Sequence, residues 1–168
     1  HVVKMIIEYA QLMSTAHRVL DGEQYTDLTA AGRRIQRWRM FDDRENELMK
    51  ASHVNHPSGV WCRDNDSNYQ WLYTMWKHLC EEYTHRYGKV HACARLDWLL
   101  SLTPDNIKTG EFYPPTPAMP QELKLLAEIP VPGRKYDSLK SYHNYYIQAK
   151  ASFAKWKNRN IPDWFVTT

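Results

Sequence analysis

Seven of the nine prolines in this 168-residue chain fall between Thr103 and Pro132, at positions 104, 114, 115, 117, 120, 130 and 132. Proline fixes φ and removes a backbone donor, so this stretch is expected to form neither a long helix nor paired strands. It reads as an ordered Pro-rich strap over residues 103–137, with Phe112, Tyr113, Met119 and Leu123 able to pack down on a surface. Regular structure is thereby confined to the segments on either side.

Those segments carry helical periodicity. From His1 to about Leu20, Val3, Ile6, Ile7, Ala10 and Met13 mark a core-facing stripe, and Asp21-Gly22 marks the stop, with glycine expected in the left-handed C-terminal conformation. Between 66 and 88, Trp71, Leu72, Met75, Trp76, Leu79, Cys80 and Tyr83 recur at three- and four-residue steps. Asp66 or Ser67 is expected as the N-cap and Gly88 as the end. A third helix is expected over His91–Leu102. A fourth follows Ser138, with Leu139, Tyr142, Tyr146, Ala149 and Phe153 inward and Lys140, His143, Lys150 and Lys157 outward. Residues 23–52 have no sustained periodicity and read as an insertion or excursion, partly helical near its end. The expectation is an all-α fold, one domain over 1–168, with about four main helices and long irregular connections.

Seven Trp and eleven Tyr are many for this length, and such side chains suit binding surfaces as well as cores. The net charge of +3 is a mild bias that says less than the placement of the charges. Cys62, Cys80 and Cys93 form no tight pair and no secretory signal is evident, which reads as a reducing, cytoplasmic setting. No apolar run reaches the roughly 18 residues that span a bilayer, so no membrane association is expected.

Three groups of residues carry candidate chemistry. On the first helix His1, Lys4 and Glu8 share a face with Gln11, Thr15 and Arg18. A carboxylate beside an amine or imidazole is a workable acid/base pair, and a lysine of lowered pKa is a Schiff-base nucleophile; the same spacing also describes a solvated Lys-Glu pair. Second, "GRRIQRWRM" sets Arg33, Arg34, Arg37 and Arg39 around Trp38, and the last helix combines Tyr145 and Lys150, both mixtures able to neutralise phosphates and stack on bases. Third, "NHPSGVWCRDNDSN" marks a rigid loop in which His56 is either a turn anchor or a phosphate contact. His53, His56, His85, His91 and the cysteines lack the paired spacing of a zinc site, and no metal or cofactor is expected.

The segments His1–Gly22, Asn55–Tyr73, Cys80–Lys89 and Tyr142–Phe165 resemble a family of small phage proteins over nearly the whole chain. A more distant resemblance is to the phage pyrimidine-dimer DNA glycosylases of the endonuclease V type. Those are small all-α proteins that open on a helix with a His and, seven residues on, a catalytic Glu; His1 and Glu8 match. Asn55-His56-Pro57 and the Tyr142–Lys150 segment follow in the same order. Ile7 and Gln11 stand where the glycosylases carry arginines, and their N-terminal threonine has no counterpart.

What the resemblance implies is a DNA glycosylase/AP lyase acting on damaged or modified pyrimidines in double-stranded DNA, in the cytoplasm of an infected host cell. Glu8 would be the general acid/base and His1 its neighbour. The amine nucleophile would come from a segment expected to precede His1, or from Lys4. Arg18, Arg33, Arg34, Arg37, Arg39, His56, Tyr145 and Lys150 would contact DNA. The alternative is a non-catalytic module that binds nucleic acid or a host protein and uses the polar face of the first helix structurally.

Overall fold

The computed structural model describes residues 1–131 and 134–166. The chain divides into two compact units, residues 1–113 and 114–168, where one domain was expected.

In the first unit, α1 (Val2–Asp21) packs on α4 (Asp66–Tyr87) and on the short α3 (Pro57–Cys62). Ile6, Ala10 and Met13 from α1 meet Tyr69, Leu72 and Trp76 from α4. Trp61, Cys62, Leu96, Leu99 and Leu100 complete the core. Burying such side chains contributes about 1.5–3 kcal/mol each. The Trp76 indole N–H donates to the Ile6 carbonyl at 3.1 Å, so the largest core ring leaves no buried donor unpaired. Val3 and Ile7, expected in this core, are 39% and 45% exposed, because the buried stripe of α1 is narrower than its apolar content.

Helix α4 begins at Asn65, whose side chain accepts from the Asn68 amide, one residue before the expected cap. It ends at Gly88 with φ +66°. Residues 104–113 lie along the start of α4: Asp66 accepts from the Gly110 amide at 3.0 Å and Asn68 from the Tyr113 amide at 3.1 Å. The expected third helix is instead a 3-10 turn (Ala92–Leu96) followed by α5 (Asp97–Leu100).

The all-α expectation is overturned. The chain is about 49% helix and 12% strand, a mixed α/β fold with two small antiparallel sheets of two strands each among the described residues. In the first unit β1 (Glu23–Leu28) pairs with β2 (Arg34–Arg39) in the register Glu23↔Arg39 to Leu28↔Arg34. The short α2 (Arg44–Glu47) follows. Every residue of β1 is exposed and none of β2 is buried, with only Ile35, Arg37 and Trp38 half-buried, so the hairpin lacks the clear apolar alternation by which a half-buried strand is recognised.

In the second unit β3 (Leu126–Val131) pairs with β4 (Arg134–Tyr136). Pro130 is accommodated because a two-stranded sheet has only edge strands, and the ladder is irregular between Leu126 and Val131. Pro132 lies outside the described residues. The last helix, α6 (Ser138–Tyr145), is capped by Asp137, which accepts from the Lys140 amide, not by Ser138. It passes into a π turn (Tyr146–Lys150) and a 3-10 turn (Ala151–Phe153). Leu139 and Phe153, expected inward, are 66% and 52% exposed, while Ser141 is fully buried.

Candidate nucleic-acid interface

The polar face of α1 divides in two. Towards its C-terminal end the side chains hold residues 38–52 against the helix. Gln11 donates to the Lys50 carbonyl at 2.6 Å, and the Thr15 hydroxyl accepts from the Ser52 amide at 3.2 Å. Arg18 is 2% exposed. Its Nε donates to the Met49 carbonyl, Nη1 to the Trp38 carbonyl and to Glu45, and Nη2 to the Glu45 and Leu48 carbonyls. A guanidinium has five N–H donors and all are engaged, so the expected phosphate contact at Arg18 is corrected: the side chain is a structural clasp. Glu45 also accepts from the Met40 amide at 2.7 Å. Burial pushes this carboxyl up, but the Met40 amide and the Arg18 charge outweigh it and hold Glu45 below the usual range.

Beside this clasp lies a second network. Arg44 pairs with Asp21 at 2.6 Å, Asp42 at 2.7 Å and Asp105 at 3.4 Å. Asp21 further accepts from the amides of Asp105 and Asn106, both at 2.9 Å. Burial acts against the Asp21 charge, yet these donors hold its carboxyl below the usual range. His17, 1% exposed, has Nδ1 facing the Arg44 guanidinium at 3.2 Å, and Nε2 2.8 Å from the Tyr69 hydroxyl and 3.1 Å from the Leu102 carbonyl. Arginine cannot accept, so Nδ1 carries the lone pair and Nε2 the proton. Burial and the Arg44 charge push the imidazole down to about 4, and it is neutral at pH 7.

Both networks converge on the base of the β1–β2 hairpin. The chain turns from α1 into β1 at Gly22, whose backbone is extended (φ −90°, ψ 169°), not left-handed as expected. Glycine is required there for close approach, since a Cβ would stand 2.5 Å from the Arg18 carbonyl oxygen and 2.8 Å from that of Arg39. From this base the ribbon extends, exposed along β1 and half-buried at Ile35, Arg37 and Trp38 of β2, to a tip at Ala30, Ala31 and Gly32. Gly32 adopts φ +74°, and the Thr29 hydroxyl accepts from the Arg33 amide at 3.1 Å.

The four candidate arginines of the hairpin differ. Arg39 pairs with Glu23 at 3.1 Å and lies over the rings of Tyr25 and Phe41, both at 5.5 Å; Arg37 reaches Asp27 at 3.9 Å. Arg33 and Arg34, both exposed at the tip, face no carboxylate among the described residues. Four arginines against two carboxylates leave the hairpin basic, with the unopposed charge at its tip.

The N-terminal half of the α1 face is open to solvent at Lys4 and Glu8. Lys4 Nζ pairs with Glu8 Oε1 at 3.2 Å across one exposed helical turn, with side chains 73% and 45% accessible. His1 precedes the helix as its N-cap residue. An open concavity of about 290 Å³ lies elsewhere, lined by Lys77, Cys80, Glu81, Thr84 and Val90. His56 is exposed and caps α3, its Nδ1 accepting from the Ser58 amide at 3.2 Å. In the second unit the π turn brings Lys150 Nζ 4.8 Å from the Tyr145 ring and 5.2 Å from that of Phe153, so these two candidates are neighbours. All three cysteines are free, and no group of three or more metal-ligating side chains is gathered among the described residues. Among the described residues no helix is long and apolar enough to cross a membrane.

Reading the sequence missed His17, Asp21 and Arg44, the members of the buried network. The signal lay in "HRVLDG", where an imidazole, a guanidinium and a carboxylate follow one another near a helix end, and in the single arginine inside "DDREN". No family model matches the chain, and neither does any curated protein or any solved structure.

Proposed function

We propose that this chain is a double-stranded-DNA-binding module whose β1–β2 ribbon carries the contact. The observation behind this reading is the pair of unopposed, exposed guanidinium groups, Arg33 and Arg34, on a ribbon whose base is fixed by Arg18. Unpaired arginines attract phosphate and release counterions on binding, whereas arginines already neutralised across a strand pair contribute less. In the second unit, taken by itself, Lys150 against the Tyr145 ring is a separate candidate phosphate contact. The test is titration of a fluorescent 30-base-pair duplex at low salt. The full chain binds, and the Arg33→Ala/Arg34→Ala variant, folded as judged by thermal melting, loses at least about tenfold in affinity. Equal affinity of the two proteins contradicts the proposal.

The glycosylase reading rests on the His1-to-Glu8 spacing and on the Lys4 amine beside the Glu8 carboxylate. An extruded base needs a pocket to receive it, and the Lys4–Glu8 pair stands on an open helix surface. The geometry therefore favours binding over base excision. Borohydride trapping on abasic duplex DNA with the full chain and with Lys4→Ala separates the two, because base-excision chemistry at this pair gives an adduct that the variant loses, whereas a binding module gives no Lys4-dependent adduct.

A further inference from the structure

We infer that the two faces of the β1–β2 ribbon have different tasks, and that the face bearing Gln24, Thr26, Leu28, Arg34 and Gln36 reads base edges in the DNA major groove. This rests on the DNA-binding reading above and adds to it a recognition surface.

Side chains alternate across a strand, and the register of the hairpin sorts them. One face receives the pairs Glu23/Arg39, Tyr25/Arg37 and Asp27/Ile35; the other receives Gln24/Trp38, Thr26/Gln36 and Leu28/Arg34. The first face is zwitterionic, with its two carboxylates tied to Arg39 and Arg37. Turned into a groove, it would bring two negative charges between two phosphate rails. The second face has no carboxylate and one cation, Arg34, near the tip. Charge complementarity therefore selects the second face for the groove.

The chemistry of that face matches what a major groove displays. Gln24 Nε2 donates to Gln36 Oε1 at 3.2 Å, and Gln36 Nε2 donates to the Thr26 hydroxyl at 3.2 Å. This chain of amides fixes both glutamines in place, yet leaves the Gln24 carbonyl and one N–H of each amide available. Glutamine pairs with the N6 and N7 edge of adenine, arginine with the O6 and N7 edge of guanine, and an apolar side chain with the thymine methyl. Gln24 and Gln36, Arg34, and the 62%-exposed Leu28 supply all three kinds of contact on one side of the ribbon. A two-stranded ribbon fits the B-form major groove, roughly 12 Å wide, and not the deep, narrow major groove of A-form RNA.

The experiment is selection of duplexes from a random-sequence library by the full chain and by Gln24→Ala/Gln36→Ala, followed by titration of the enriched sequence. The full chain enriches a motif containing A·T pairs. The double variant, altered at exposed positions and checked by thermal melting, loses about tenfold to a hundredfold in preference for that motif. Its affinity for random duplex and its salt dependence stay within about twofold. Replacing only the motif's adenines with 7-deazaadenine, which removes their major-groove N7 acceptor and leaves the guanine edge read by Arg34 intact, weakens the full chain and leaves the double variant unchanged. Binding to duplex with no enriched motif, indifference to 7-deaza substitution, or equal competition by an RNA duplex overturns the readout while leaving DNA binding standing. No binding to any duplex overturns both.

Discussion

The base and the tip of the β1–β2 hairpin contain the same residue type in opposite circumstances. At the base, Arg18 has all five donors engaged by Glu45 and backbone carbonyls, and Arg44 sits among three carboxylates. At the tip, Arg33 and Arg34 are exposed and meet no acid among the described residues. Arg37 and Arg39 stand between, each tied to one carboxylate across the ribbon. The gradient shows that the number of arginines in a segment says little about its capacity for an anionic partner. That capacity depends on how many donors folding leaves unused, and an immobile base is what gives the unused ones a defined position.

The largest effect expected from disturbing this contrast is at its fixed end. Arg18→Ala leaves Glu45 and four carbonyls without their donor and should destabilise the first unit by about 3–5 kcal/mol, measured by urea denaturation. A cost below about 1 kcal/mol would mean that the clasp does not hold the hairpin.

Acidification comes next. A His17 proton is disfavoured in the fold, which holds the imidazole at about 4, while the unfolded chain binds it near 6.5. The unfolded state therefore binds more protons between these values, and stability falls as pH drops from 6.5 towards 4, by up to about 3 kcal/mol. His91 is also lowered by burial and adds a slope of the same sign. Comparing the wild type with His17→Gln by denaturation at stepped pH isolates the His17 part; identical slopes would contradict it. Gly22→Ala should cost about 1–3 kcal/mol, because its Cβ would press on two carbonyl oxygens. Glu8→Gln should change stability by less than about 0.5 kcal/mol, since it breaks only an exposed i,i+4 pair. Under the binding reading it also leaves duplex affinity intact.

What could be read in the residues follows the same contrast. Helix α4 and its Gly88 terminus were legible because Leu72, Trp76, Cys80 and Tyr83 repeat against one continuous core. The hairpin was not, since a ribbon with no buried residue and only Ile35, Arg37 and Trp38 half-buried carries little burial pattern, and its Tyr25, Thr26, Ile35 and Trp38 are only strand-favouring residues. The row Gln11, Thr15, Arg18 was correctly placed on one face of α1. Periodicity cannot say, however, whether a polar face meets solvent or the backbone of a segment thirty residues away. The Lys4–Glu8 spacing was legible as both a solvated pair and a catalytic wall, and the structure displays the pair on an open surface. Tyr145 and Lys150, five residues apart, meet through a π turn that no local pattern announces.

The most direct test compares salt dependence between the two ends of the gradient. Duplex affinity is measured from about 50 to 200 mM salt for the wild type, Arg33→Ala/Arg34→Ala and Arg37→Ala/Arg39→Ala. Each phosphate contact contributes about 0.9 to the slope of log affinity against log salt, so losing the tip pair should flatten it by at least about 0.9, the share of Arg33, while Arg34 acts at a base edge. Loss of the paired arginines should flatten it by less than half as much. Equal flattening by the two variants, or none at the tip, would contradict the claim that the unopposed arginines carry the contact.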